Sequence, residues 1–267
     1  MADKLNETIA RLNKSYGKGT VMPMNQSGAA DHVDVISTGN ARIDQITGIG
    51  GVPCGRITEV YGPEAGGKST LCLQIIAQAQ KLGGKALYVD AENALDVAYA
   101  AALGVNVDDL LVSQPSCGEE ALEVALGMIQ TNEISVAIID SVAALVPRAE
   151  LDGDIGDAQM GLMARMMGQA LRKTNKAVFD SKCALIFINQ VRQKLGIVFG
   201  NPETTSGGMA LKFYASLRMD VRRISQIKKG DTVIGAVTKI KTIKNKLAAP
   251  AQSCDVKLHY GKGFVND

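Results

Sequence analysis

The segment Gly62-Pro-Glu-Ala-Gly-Gly-Lys-Ser-Thr70 constrains this 267-residue chain more than any other. Ahead of it lies Arg56-Ile-Thr-Glu-Val-Tyr61, a short β-prone run; behind it Leu71, Ile75, Ala79 and Leu82 recur at helical spacing as far as Gly83-Gly84. A glycine-rich turn joining a strand to a helix in this way is a phosphate-binding loop. Gly62, Gly66 and Gly67 carry no Cβ, so the backbone can take positive φ and aim several amide N–H groups at one point. The helix start adds a partial positive charge, Lys68 a full charge for the β and γ phosphates, and the Ser69 hydroxyl a ligand for Mg²⁺. Gly62, Pro63, Glu64, Ala65, Gly66, Gly67, Lys68, Ser69 and Thr70 are therefore read as the binding loop for a nucleoside triphosphate.

The chain then alternates between strand and helix patterns. Residues 86–89, 110–112, 136–139 and 184–188 read as strands, with helical patterns over 97–103 and 119–130. These apolar runs suit an α/β fold: a mostly parallel, twisted sheet with helices on both faces. Ligands of such sheets gather at the carboxyl ends of the strands, where Asp90, Glu92, Asp140, Ser141 and Gln190 stand. Asp140, ending an apolar strand expected to neighbour the phosphate-loop strand, is expected to be the second magnesium contact, through the metal's water shell. Glu92 has two readings. It is either the carboxylate that orients or deprotonates an attacking water, or a cap for the helix that follows. Residues 217–224, 233–243 and 256–260 abandon the helical period and read as antiparallel strands extending one edge of the sheet.

Composition bounds the rest. With 46% hydrophobic and 21% charged residues the chain can bury a full core. No apolar run reaches the ~18 residues of a membrane span, and the N-terminus lacks a signal-peptide core, so a cytoplasmic protein without membrane contact is expected. Five scattered cysteines without a Cys-x-x-Cys pair suggest buried thiols rather than disulfides or zinc. The net charge of +2 hides an asymmetry: acidic residues cluster over 90–157, and from Lys212 onward the chain is basic through Arg218, Arg222, Arg223, Lys228, Lys229, Lys239, Lys241, Lys244 and Lys246. Solvated strand faces and a phosphate-facing surface both fit that pattern. Two long segments, 147–160 and 191–209, show no clear secondary structure and follow strand ends on the ligand side. The second interleaves Arg192 and Lys194 with Leu195, Ile197, Val198 and Phe199, a mixture suited to single-stranded nucleic acid. Gln190 lies at its root, where contact with a γ phosphate could reposition the segment. Near the N-terminus, Leu5, Ile9 and Leu12 form one helical stripe, cut off from the core by a polar stretch, whose partner is either its own core or a neighbouring subunit.

Several motifs together resemble the bacterial RecA recombinases over nearly the whole chain. They are the phosphate loop, Asp90-Ala-Glu-Asn-Ala-Leu-Asp96, Ile139-Asp-Ser-Val-Ala-Ala-Leu145, Met160-Gly-Leu-Met-Ala-Arg-Met-Met167, Phe187-Ile-Asn-Gln-Val-Arg192, Gly200-Asn-Pro-Glu-Thr-Thr-Ser-Gly-Gly208 and Lys244-Asn-Lys246. The resemblance implies a P-loop NTPase of RecA type, residues 34–267, behind an N-terminal oligomerisation arm, residues 1–33. It implies Glu92 as catalytic carboxylate, Gln190 as γ-phosphate sensor, and Asp96, Tyr99, Tyr260 and Gly261 as adenine contacts. It further implies that Lys244 and Lys246 reach the ATP of the adjacent subunit, placing hydrolysis between protomers of a helical filament. Segments 147–160 and 191–209 become the two DNA loops, with Met160, Arg165, Arg172, Arg192, Leu195, Gly207 and Gly208 toward DNA.

The implied activity is ATP- and Mg²⁺-dependent assembly on single-stranded DNA, pairing with duplex DNA, strand exchange in recombinational repair and DNA-dependent ATP hydrolysis. A self-cleaving repressor of the DNA-damage response is an implied further partner. Two departures stand out. Asn93 occupies a position where the family often has histidine, and the family continues beyond the equivalent of Asp267 into a small C-terminal domain and acidic tail. The expectation is either a shortened version or a naturally short relative. Three rival readings are a hexameric helicase, a regulatory filament with little strand exchange, and a small-molecule kinase, whose acceptor pocket and basic lid the sequence does not offer.

Overall fold

The computed structural model of the chain describes residues 2–23, 33–154, 161–193 and 202–266. The chain divides into two compact units, Met1–Asp34 and Val35–Asp267. In the first, α1 (Ala2–Tyr16) has Asp3 in its opening turn and Lys14 in its last, each matched to the helix dipole. After it the chain folds back: Asn13 Nδ2 donates to the Val21 carbonyl at 3.0 Å, and the Val21 N–H donates to Asn13 Oδ1 at 2.9 Å. Leu5 of the apolar stripe is 64% exposed.

The second unit opens with β1 (Val35–Ile36), α2 (Ala41–Thr47) and β2 (Val52–Pro53), the two strands pairing antiparallel. Next come β3 (Ile57–Gly62), α3 (Lys68–Lys81), β4 (Lys85–Asp90), α4 (Val97–Ala102), β5 (Leu110–Ser113), α5 (Gly118–Gln130) and β6 (Ile134–Asp140). A 3-10 turn (Val142–Ala144) and the short α6 (Arg148–Leu151) lead to α7 (Leu162–Ser181) and β7 (Ala184–Gln193). The chain ends with β8 (Glu203–Thr205), α8 (Ala210–Tyr214), β9 (Leu217–Lys229), β10 (Thr232–Asn245), β11 (Ser253–His259) and β12 (Gly263–Phe264).

Among the described residues the main sheet has the order β12-β11-β10-β9-β3-β7-β6-β4-β5, with β8 pairing on β7. The run from β9 to β5 is parallel, and β10, β11 and β12 continue it antiparallel. Successive strand residues feed opposite faces. Ile138 and Ile186 pack with Leu71 and Ile75 of α3, while Ile139 and Phe187 pack with Ala121 of α5 and Met167 and Leu171 of α7. This is the α/β architecture expected, a mostly parallel sheet covered by helices on both faces with an antiparallel edge.

Four expectations change. The strand ending at Asp140 does not neighbour the phosphate-loop strand, because β7 lies between β3 and β6. The α7 crossover carries the chain from β6 into that central slot. The strand over 110–112 is not buried on both faces: β5 is an edge, and Leu111 and Val112 are exposed. Leu82 does not continue the buried stripe of α3 but forms its C-cap, exposed. The segments read as lacking secondary structure contain some among their described residues. α6 lies in the first, and β7 runs on to Gln193 to make an antiparallel ribbon with β8 in the second.

A charged cluster sits inside the sheet. Glu59 of β3 is fully buried and accepts from Arg218 Nε of β9 at 2.5 Å and from Asn189 Nδ2 of β7 at 2.9 Å. Arg218 also lies over the Tyr61 ring, 4.8 Å from its centroid. Removing one partner strands a buried charge, which costs about 3–5 kcal/mol, whereas an apolar pair of similar volume is nearly neutral. Arg218→Ala is therefore expected to lower Tm by about 10 °C, and Glu59→Met with Arg218→Met by clearly less. Thermal and urea unfolding of the three proteins checks the ranking.

Candidate nucleotide and nucleic-acid site

Parallel register sets the geometry. Gly62 stands beside Gln190, and Asp90 beside Asp140, so the ends of β3, β7, β6 and β4 open onto one edge. The turn after β3 needs its glycines. A Cβ on Gly62 would lie 2.1 Å from the Val221 carbonyl oxygen, and one on Gly67 (φ 97°) would lie 2.6 Å from Leu258 and 2.8 Å from Phe264. Gly67 begins α3 with no side-chain cap, so the first N–H groups of the helix are left for an anion.

Lys68 Nζ donates to the Pro63 carbonyl at 2.7 Å. Burial pulls its pKa down, while Asp140, Glu92 and Glu64 favour its charged form. Ser69 Oγ donates to Asp140 Oδ2 at 2.7 Å, and the Tyr88 hydroxyl donates to the same oxygen at 2.6 Å. Burial raises the Asp140 pKa against the pull of those two hydrogen bonds. A hydroxyl and a carboxylate at one point form a hard, oxygen-only set of the kind that suits Mg²⁺, which takes one or two protein ligands and completes its shell with phosphate and water. Among the described residues no group of three or more His, Cys, Asp or Glu could hold a metal by itself.

Glu92 stands just beyond β4 and does not cap the helix that follows. Its Oε1 accepts from Ser141 Oγ and from Gln190 Nε2, the latter at 3.3 Å. The helix cap belongs instead to Asp96, which accepts the Tyr99 N–H at 2.9 Å. Asp90 is committed to the turn, accepting from the Ala94 and Leu95 N–H groups and from Gln114. Asn93 takes the left-handed conformation, φ 54°, which asparagine and histidine tolerate better than most residues. Tyr99 and Thr70 share a hydroxyl hydrogen bond of 2.9 Å, tying α4 to the start of α3. Tyr260 and Gly261 form the exposed turn between β11 and β12, and the Phe264 N–H that follows donates to Gln74 of α3.

Toward the two long segments, Arg165 and Arg172 are exposed on α7, seven residues and so about 10 Å apart along one face. Arg192 is exposed on the ribbon. Gly207 and Gly208, with φ 84° and 78°, are packed close: a Cβ on the first would meet Val142 at 2.8 Å and on the second Ala164 at 2.7 Å. They therefore key the return of the second segment against the 3-10 turn and α7. Met160 and Leu195 lie outside the described residues, as do 155–160 and 194–201 of the two segments.

The basic C-terminal third is more internally matched than its charge pattern suggested. Arg218 pairs with Glu59, Arg222 with Glu203 and Asp220, and Lys239 with Asp255. Lys244 Nζ donates to the Lys212 and Phe213 carbonyls, at 2.6 and 2.9 Å, and Lys246 Nζ to that of Phe213 at 3.2 Å. Burial, then the charges of Lys246 and Arg218, lower the Lys244 pKa.

The RecA N-terminal domain family matches residues 3–265. The chain belongs to the RecA family. It is 52% identical over 263 residues to Protein RecA of Laribacter hongkongensis, covering 98% of this chain and 74% of the relative. Against Protein RecA of Clostridioides difficile it is 54% identical over 260 residues, 97% of the chain and 74% of the relative. Against that of Methylococcus capsulatus it is 54% identical over 263 residues, 98% and 76%. The expected RecA resemblance is thus borne out. Among the described residues no helix is long and apolar enough to cross a membrane.

Sequence reasoning missed Tyr88, which looks like one more apolar strand residue, and Asn189, whose amide joins Glu59 to the Ser206 carbonyl. It also missed α7 as a helix, although Met166, Met167, Leu171, Thr174 and Val178 mark a buried face at helical spacing.

Burial raises the Asp140 pKa above its unfolded value, so the native state favours the protonated form. Its contribution to stability is present at low pH and is lost as pH rises through the folded pKa. Asp140→Asn keeps an acceptor for Ser69 and Tyr88 and removes the charge. It is expected to raise Tm by a few degrees at neutral pH, the gain shrinking toward pH 4, while weakening Mg²⁺-dependent nucleotide binding. Melting curves across pH check the sign.

Proposed function

We propose that the chain is an ATP-dependent DNA recombinase, assembling on single-stranded DNA with ATP and Mg²⁺, pairing that strand with homologous duplex, and hydrolysing ATP to release it. Gln190 carries the reading. It stands beside Gly62 of the phosphate loop, shares the oxygen of Glu92 that Ser141 also holds, and lies on the strand that leads into the second long segment. One residue therefore faces both the triphosphate site and the DNA loop.

The loop N–H groups and Lys68 would hold the phosphates, and Tyr99, Asp96, Tyr260 and Gly261 the base. Magnesium, held by Ser69 and through water by Asp140, would supply charge neutralisation between the β and γ phosphates. Glu92 orients and deprotonates the attacking water. Arg165, Arg172 and Arg192 meet DNA phosphates, with the two long segments and Gly207 and Gly208 shaping the groove. Lys244 and Lys246 act on a neighbour's triphosphate. Lys244 stands opposite Arg218, and Arg218 opposite Glu59, three residues short of Gly62. That register leaves Lys244 two strands over and roughly 14 Å from its own phosphate loop by strand geometry. The N-terminal unit docks on an adjoining protomer of the filament.

Single-stranded DNA is expected to raise ATP turnover at least tenfold, and Glu92→Gln to lower kcat by about 10²–10⁴ while nucleotide binding persists. In Gln190→Ala, affinity for single-stranded DNA is expected to stop distinguishing ATP from ADP. Turnover indifferent to DNA, or closed rings in place of filaments by negative-stain imaging, would overturn the assignment.

A further inference from the structure

The hydroxyl of Tyr88 is buried chemistry that the reading above does not use. Tyr88 lies on β4, opposite Ile138 of β6, and Asp140 lies two residues further along that neighbouring strand. In a pleated sheet residues two apart share a face, so the ring of Tyr88 reaches diagonally to Asp140. Tyr88 is 2% exposed and its ring belongs to the core beneath α3. A phenylalanine would fill that space, and the hydroxyl adds one thing: a 2.6 Å hydrogen bond to Asp140 Oδ2.

The choice of oxygen matters. Ser69 Oγ donates to Oδ2 as well, so both hydrogen bonds fall on one carboxylate oxygen, and no hydrogen bond to Oδ1 is present among the described residues. A carboxylate fixed through one oxygen from two directions, by a helix and by a strand, cannot swing about its Cβ–Cγ bond. Its second oxygen is then presented in a single orientation. Asp90, the direct cross-strand partner of Asp140, supplies no such restraint, because its own oxygens accept from Ala94, Leu95 and Gln114.

We propose that Tyr88 is a positioning residue for the metal site: its hydroxyl orients the Asp140 carboxylate toward Mg²⁺ and lowers the metal concentration at which the triphosphate is held. The inference rests on Asp140 being a magnesium contact. Partners that orient a directly bound ligand are worth about 10–100-fold in metal affinity; Asp140 acts through water, so the low end of that range is expected for Tyr88.

The test uses the full chain without DNA and follows binding of a fluorescent, slowly hydrolysed ATP analogue as Mg²⁺ is titrated. Tyr88→Phe is expected to raise the half-saturating Mg²⁺ concentration about tenfold, with nucleotide affinity at saturating Mg²⁺ changed less than twofold. Tyr88→Leu, which also loses the ring, is expected to match it in Mg²⁺ requirement while melting lower. If Tyr88→Phe titrates like the parent while Asp140→Asn requires far more Mg²⁺, the proposal fails and the hydroxyl only satisfies a core contact. If Asp140→Asn also titrates like the parent, the magnesium reading of Asp140 falls, and the role of Tyr88 with it.

Discussion

The parallel pairing of β3, β7, β6 and β4 is the constraint from which the site follows. Parallel strands must all end on the same side, so every polar residue that closes an apolar run is delivered to one edge. Register then decides which of them meet. Gly62 faces Gln190 across one ladder and Asp90 faces Asp140 across another, while Ser69 crosses from the helix to reach Asp140. No separate device is needed to assemble the cluster. The packing of Ile138, Ile139, Ile186 and Phe187 on two helical layers fixes the strands, and the strands fix the chemistry.

The charge buried inside that sheet is matched, although the neighbouring Thr58 hydroxyl has no hydrogen-bond partner among the described residues. Glu59 would be untenable without Arg218 and Asn189, and Asn189 in turn accepts the Gln190 N–H through its side chain. The same few residues thus hold β3, β7 and β9 together and fix the end of β7 at Gln190. Asp140 is the opposite case. It is a carboxylate whose burial disfavours its charge, while hydrogen bonds from Ser69 and Tyr88 oppose that.

Much of this was legible in residue order, for physical reasons that differ from place to place. The phosphate loop was plain because only glycine tolerates the approach of Val221, Leu258 and Phe264. The strand ends were plain because buried parallel strands must be apolar until they finish. The order of strands was not, since nothing local in β6 says that β7 will intervene before β3. The role of Glu92 was ambiguous because a carboxylate ahead of a helix can cap it, and only space shows that Asp96 already does. The basic third stayed open for a related reason: Arg218 and Arg222 look available in one dimension, while their partners Glu59 and Glu203 lie 159 and 19 residues away.

Glu92 is held by a single oxygen on which Ser141 and Gln190 converge. Those donors belong to different parts of the machine, one following the strand of Asp140 and the other on the strand entering the second long segment. Neither can withdraw without loosening the carboxylate, and neither alone defines where it rests. The arrangement works as a two-key lock, in which the orientation of the carboxylate depends at once on the end of β6 and on β7.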